Sequence, residues 1–196
     1  MNKMARPTSS KVISALFNIL RSSSPHGAPF LDLFAGTGSV ARRALEEGAS
    51  CVLCVESDAG RANAISRGFA DAGFAPERAS CVRGDVRRVL PRLAKSAKIA
   101  GNAKIAEITE ITEITKNFLP REFGVVFADP PYCAGWGASL LPLMADNWDV
   151  VKPGGVFIFE HSSREHTTDF LMAGDDKIYG ETVLSFYWKR EVSNKL

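Results

Sequence analysis

The residues Asp129-Pro130-Pro131-Tyr132 follow the most apolar run of the chain, Phe123 to Ala128. Two consecutive prolines stiffen the backbone and leave carbonyls without matching amide donors beside them. The Asp129 carboxylate and the Pro130 carbonyl can then accept both N–H bonds of a planar amine, while Tyr132 offers a ring on which a base can stack. An aromatic amine is a poor nucleophile, because its lone pair is delocalised into the ring. Holding both hydrogens aims the nitrogen at an electrophilic methyl group and stabilises the charge that develops on transfer. A plain Pro-Pro turn with a helix-capping aspartate is the alternative reading.

Three more acids and a glycine turn sit where a ligand could meet them. Asp32 sits in the apolar run Phe30–Phe34, which is followed by Gly36-Thr37-Gly38; Glu56 closes the next run, and Asp85 follows the one after. The glycine turn alone is a weak signal. Gly36-x-Gly38-x-x-Ala41 also satisfies a loose dinucleotide fingerprint, and Glu56 lies about where that motif places its ribose acid. Glu56 can accept from both hydroxyls of a ribose, so it points to a nucleoside. Asp85 can accept from an adenine amine or serve as a helix cap. An NAD-binding oxidoreductase explains the glycines and Glu56 and leaves Asp129-Pro130-Pro131-Tyr132 unexplained.

These residues need elements to position them. Val12, Ala15, Leu16, Ile19 and Leu20 recur at helical spacing behind Ser and Thr caps. Strands are expected over Phe30–Phe34, Cys51–Val55, Ser80–Arg83, Phe123–Ala128 and Val156–Glu160. Helices are expected over Val40–Glu47, Ala59–Ala72 and Ala138–Asn147, and another begins at Val86–Leu93, with Val150–Gly155 as a turn. Lys177–Tyr179 and Thr182–Trp188 form two closing strands around Gly180. Alternating strands and helices predict an α/β fold: a doubly wound, mostly parallel, Rossmann-like sheet with an antiparallel C-terminal edge hairpin. Ligands of such sheets bind beyond the carboxyl ends of the strands, where Asp32, Glu56, Asp85 and Asp129 all fall.

The 196 residues suffice for one domain, 1–196, with a basic N-terminal segment and helix over 1–29. Residues 94–117, with Glu-Ile-Thr three times in succession, read as a low-complexity insertion rather than core. The hydrophobic share of 45% and charged share of 23% belong to a soluble globular chain, and no apolar run is long enough to span a bilayer. The opening MNKMARPTSS lacks the apolar core of a secretory signal, so a cytoplasmic location is expected. Net charge is +2, but residues 1–92 carry +5 and the rest −3, which suits an anionic partner without proving one. Cys51 and Cys54 have CxxC spacing within an expected strand, where they would point to opposite faces. With Cys81 and Cys133 scattered singly, buried free thiols are expected, and no metal site. His26, His161 and His166 form no metal spacing either.

The chain resembles the small Rossmann-like S-adenosylmethionine-dependent methyltransferases that act on exocyclic amines, with the DPPY form of their motif. More narrowly, it resembles the RsmD-type 16S ribosomal RNA guanine-N2 methyltransferase family. The matching segments are Arg6-Pro7-Thr8 with Lys11, Leu16-Phe17-Asn18, Phe30 through Gly38, Ala44 through Ala49, Val55-Glu56 with Asp58, and Phe127 through Tyr132. The resemblance implies S-adenosylmethionine as cofactor. Asp32, Phe34, Gly36, Thr37 and Gly38 would hold its methionine end, Glu56 its ribose and Asp85 its adenine. It implies that Asp129, Pro130 and Tyr132 present the guanine amine and that Arg6 and Lys11 contact RNA. The implied partner is 16S RNA within an assembled small subunit. Ile13-Ser14, Ala41 and Arg43 depart from the family's usual Arg-Glu, Gly and Glu. A DNA adenine-N6 methyltransferase shares the chemistry, but it needs a target-recognition region for which 196 residues leave no room. An RNA-binding module without cofactor would not need the acids.

Overall fold

The computed structural model describes residues 10–23, 27–100, 120–131, 135–165, 167, 170–172 and 174–191. Its elements are α1 (Ser10–Ser23), β1 (Phe30–Asp32), α2 (Ser39–Glu46), β2 (Val52–Glu56), α3 (Ala59–Asp71), β3 (Ala79–Arg83) and α4 (Val86–Ala100). They continue with β4 (Phe123–Ala128), α5 (Trp136–Asp146), a 3-10 turn (Trp148–Val150), β5 (Val151–Ser162), β6 (Asp175–Tyr179) and β7 (Thr182–Trp188). The strands form one seven-stranded sheet in the order β3-β2-β1-β4-β5-β7-β6. Pairing is parallel from β3 through β5 and antiparallel at β7 and β6. The expected fold class is the observed one. The closing hairpin turns at Gly180 (φ 65°), and β7 rather than β6 takes the place beside β5.

Both sheet faces are covered, which is why β2 and β4 are buried along their whole length. Phe30, Val52, Cys54, Val125, Phe127 and Ile158 face α1, α2 and α3. Leu31, Leu53, Val55, Val126, Phe157 and Phe159 face α4 and α5. Helix α1 buries Val12, Leu16, Phe17 and Leu20 as one stripe, as its spacing predicts. Its last turn is pinned by Arg21, which donates through Nε and Nη2 to Glu47 just beyond α2, at 2.6 and 2.5 Å. Arg43, a departure from the family pattern, donates to the same carboxylate at 2.6 Å. The two guanidiniums hold the Glu47 carboxyl below its ordinary range.

The expected boundaries of β1, β5 and α4 shift, each for a local reason. Strand β1 ends at Asp32 because the Phe34 N–H turns back to the Asp32 carboxylate (3.3 Å) and the Ala35 N–H pairs with the Val55 carbonyl (3.1 Å). Strand β5 absorbs the expected turn, from Val151, through an irregularity opposite Phe123 to Val125; Gly155 lies there so close to β4 that a Cβ would meet the Gly124 carbonyl at 2.8 Å. Helix α4 runs to Ala100, so residues 94–100 are not part of an insertion. Ala94 and Ala97 extend the buried stripe of Val86, Val89, Leu90 and Leu93, and buried Ser96 accepts from Arg121 at 2.8 Å. The period-three repeat lies outside the described residues. No helix among the described residues is long and apolar enough to cross a membrane.

Candidate functional site

The chain leaves β1 toward β2 and β3 on one side and returns through β4 on the other. The strand order therefore reverses between β1 and β4, and a crevice opens beyond their carboxyl ends. The glycine turn closes this crevice on the α2 side. Gly36 and Gly38 both hold positive φ, 56° and 77°, and a Cβ on Gly38 would stand 3.1 Å from Ile65 Cγ1. Glycine is required at 38 by backbone conformation and by packing together. Gly38 also caps α2 without any side-chain hydrogen bond. The first amides of that helix lack an intrahelical acceptor and form the electropositive end of its dipole.

Glu56, at the end of β2, is 6% exposed and ties the turn to its neighbours. Its Oε2 accepts from the Gly36 N–H at 2.9 Å, and its Oε1 accepts from the Asp58 N–H at 2.8 Å and Arg61 Nη2 at 2.9 Å. Asp58 in turn caps α3 by accepting from the Arg61 N–H at 2.8 Å. Arg61 has no place in the sequence motif, and only its helical position beside Glu56 could have signalled it.

Asp32 is 1% exposed, at the carboxyl end of β1. Burial pushes its carboxyl up to about 7; the Phe34 N–H partly offsets this, and the nearby Asp129 and Glu56 charges add to it. Asp129 is half-buried just beyond β4, Pro130 is buried, and Pro131 is exposed. Strand alternation puts Asp32, Glu56 and Asp129 on the same sheet face as Cys54 and Phe127. The pairing of Ala128 with Phe159 places Glu160, 2% exposed, beside Asp129 on that face. Glu160 is absent from the candidates named by sequence, although it ends an apolar run as the other acids do.

Asp85 is exposed and caps α4, accepting from the Arg87 N–H at 2.8 Å while its carbonyl accepts from Arg88 and Val89. Next to it the Arg87 guanidinium lies 3.9 Å from the centre of the Trp136 ring, which meets Phe34 edge-on at 4.8 Å. Trp136 opens α5, and the Glu165 carboxylate, from the segment after β5, accepts from the Gly137 N–H at 2.9 Å. That contact, with Gly135 at φ 72°, starts α5 two residues earlier than its apolar pattern suggests. Trp136, Arg87 and Glu165 were not legible as neighbours, because 49 and 28 residues separate the partners.

The structure thus brings Asp32, Phe34, Gly36, Gly38, Glu56, Asp85, Asp129 and Pro130 to one edge, with Thr37 exposed above the turn. Lys11 is exposed in the first turn of α1. Arg6 and Tyr132 lie outside the described residues, as do Cys133, His26 and His166. Cys51 and Cys54 are buried free thiols facing opposite sides of the sheet, as expected, and burial raises both. His161 has a packing role: its Nε2 bonds Ser185 Oγ at 2.9 Å between β5 and β7.

Residues 1–101, just over half of the chain, match the family described as "Conserved hypothetical protein 95", the RsmD family. The chain belongs to this family. It is an S-adenosylmethionine-dependent methyltransferase family. A Bacillus subtilis (strain 168) protein described as "Putative rRNA methyltransferase YlbH" is 27% identical over 192 residues, covering 94% of this chain and 88% of the relative. A hypothetical protein of Thermus thermophilus superposes with TM-score 0.70 at 26% identity, over 98% of this chain and 91% of that one. An RNA methyltransferase from Salinibacter ruber, solved with S-adenosyl-L-homocysteine, shares the fold with TM-score 0.60 at 14% identity, over 97% and 98% of the two chains.

Proposed function

We propose that this RsmD-family protein methylates the exocyclic N2 amine of one guanine in 16S ribosomal RNA. The observation that carries the reading is the set of carboxylates Glu56, Asp32 and Asp129 on adjacent strand ends β2, β1 and β4, with the glycine turn between the first two. The set fits S-adenosylmethionine by its charges. A buried acid raised to about 7 beside two other carboxylates is relieved by a cation, and this cofactor brings an ammonium and a sulfonium. Its carboxylate suits the uncapped first amides of α2.

In this reading Asp32 accepts from the ammonium, Phe34 and the Gly36-Thr37-Gly38 turn shape the space around the methionine end, and Glu56 accepts from the ribose hydroxyls. Asp85 accepts from the adenine amine. When bound, the cofactor supplies an activated methyl group whose leaving group is neutral. Asp129 and the Pro130 carbonyl hold the two N–H bonds of the guanine amine, which turns the nitrogen lone pair out of conjugation and toward the methyl. The Asp129 carboxylate then stands where positive charge grows and can take the departing proton. Tyr132 stacks the base, and Arg6 and Lys11 meet phosphates.

Lys11 is carried by helix α1. Glu47 lies at the end of α2 away from the glycine turn, and it holds the last turn of α1. Lys11 lies in the first turn of α1, at the end of the helix opposite the one that Glu47 holds, and is exposed there. The name of the B. subtilis relative is the support for an rRNA substrate. Two phosphate contacts and one stacking ring suit a shaped ribonucleoprotein better than a bare sequence. Single-turnover methylation should accordingly be faster on assembled small subunits lacking the modification than on naked 16S RNA, and mass mapping should find the label on one guanine N2. Equal rates on the two substrates would overturn the subunit context, and label on adenine N6 would overturn the substrate.

A further inference from the structure

Asp85 is too exposed to hold a purine by itself. Its side chain is 47% exposed and already faces its own helix, accepting from the Arg87 N–H and standing 3.7 Å from that residue's Nη1. Water competes for any further hydrogen bond there, so the net gain is small. Purine sites obtain most of their hold from a flat, dry surface against which the ring stacks. The described residues offer a flat surface next to Asp85 that a bound ring would itself shield from water. Phe34 meets Trp136 edge-on, Trp136 is 7% exposed, and the Arg87 guanidinium covers its ring at 3.9 Å from the centre. The indole fixes one side of the guanidinium, and the Arg87 side chain is still 52% exposed. A flexible cation has thereby become a positioned plane, two residues from the acid that would meet the purine amine.

We propose that the exposed side of the Arg87 guanidinium, backed by Trp136 and Phe34, is the stacking surface for the adenine ring of the cofactor. Asp85 then reads the ring's edge and Arg87 holds its face. The inference rests on the cofactor reading above and adds two residues that no motif assigns. It also accounts for an arginine that lies flat on a tryptophan at this edge while keeping only a long ion pair, 3.7 Å, with Asp85.

The test is calorimetric titration of the full chain with S-adenosylhomocysteine and with 5′-methylthioadenosine, which keeps the nucleoside and lacks the amino acid. Arg87→Ala should weaken both ligands by the same factor, about tenfold, toward the low end of what base stacking supplies. Arg87→Lys should behave like Arg87→Ala, since an ammonium keeps the charge and loses the plane. Trp136 emission, taken as the difference between the wild type and Trp136→Phe, should change when either ligand binds. Wild-type affinity in Arg87→Ala or in Arg87→Lys overturns the stacking surface, as does a loss confined to S-adenosylhomocysteine. A raised KM for RNA with unchanged ligand affinity makes Arg87 an RNA contact instead, and overturns it too. Should the wild type bind neither ligand, the cofactor reading falls with it. If Glu56→Ala weakens S-adenosylhomocysteine and Arg87→Ala does not, only the stacking proposal falls.

Discussion

On the β1–β3 side of the carboxyl edge, each candidate residue is fixed by a partner close in sequence or on the adjoining strand. On the β4–β5 side the partners come from far along the chain. Asp32 is held by Phe34, and Glu56 by Gly36, Asp58 and Arg61. Trp136, by contrast, needs Arg87 and Phe34, and the start of α5 needs Glu165. The turn before β5 is closed by Lys189, beyond β7, which donates to the Trp148 and Val151 carbonyls at 3.1 and 2.7 Å. One side is therefore preorganised by local backbone geometry. The other is complete only once the C-terminal hairpin has docked, because loop closure must precede the reward from such distant contacts.

The sharpest way to separate the two sides is a pair of alanine variants. Asp129→Ala should lose methyl transfer by several orders of magnitude in a tritiated-methyl assay while calorimetry gives near-wild-type affinity for S-adenosylhomocysteine. Glu56→Ala should do the reverse. It loses charge-assisted bonds worth roughly 1.5–3 kcal/mol each, so affinity falls at least tenfold, and turnover recovers at high cofactor concentration. Near-normal turnover in Asp129→Ala would remove it from the acceptor side. Unchanged affinity in Glu56→Ala would remove that acid from the cofactor side, and binding of NAD that depended on Glu56 would favour the oxidoreductase.

Asp32 sharpens the comparison by its pH dependence. Its folded pKa is raised to about 7, against about 3.9 for an unfolded aspartate. Between those values the native state binds the extra proton, so its contribution to stability is full below pH ~4 and is lost as pH rises through ~7. The loss is about 4 kcal/mol for this one group, from ~1.4 kcal/mol per pH unit. Asp32→Asn removes the titration, so denaturant unfolding of the cofactor-free variant should vary less between pH 4 and 7. Its melting temperature at pH 8 should exceed the wild type's. S-adenosylhomocysteine binding should rise with pH up to ~7 in the wild type and lose that rise in Asp32→Asn. A wild-type stability profile flat across this window would show that Asp32 stays ionised when buried.

The same asymmetry decides what could be read from the chain alone. Every parallel strand was legible, because burial on both faces leaves short runs such as Val52–Val55 and Phe123–Ala128 bounded by an acid or a turn. The glycine turn and the acids at 32, 56, 85 and 129 are legible because each lies at or within a few residues of the carboxyl end of its strand. Arg61 on Glu56 and Arg87 on Trp136 were not, since a charged residue on a helix carries no mark of what it will reach. The end of helix α4 is hidden in the sequence for a different reason. Ala94 and Ala97 are too small to stand out as an apolar stripe, and a lysine-rich segment around them imitates linker composition.

That misread boundary yields the smallest expected effect. Replacing residues 101–119 by a short Gly-Ser linker keeps all of α4 and the Ser96–Arg121 hydrogen bond, and joins Ala100 to Pro120 ahead of β4. Loop-closure entropy changes by only about 0.6 kcal/mol for each halving of a connection's length, so urea unfolding should stay cooperative with a midpoint near the wild type's. Extending the deletion back to residue 94 removes two buried alanines and leaves Leu90 and Leu93 against an open end of the core. That variant should lose several kcal/mol, by analogy with other cavity-forming changes. Equal stability of the two deletions would mean that the last two turns of α4 contribute nothing to the β4 side of the sheet. Loss of cooperative unfolding in the shorter deletion would make residues 101–119 part of the fold rather than an insertion between its two halves.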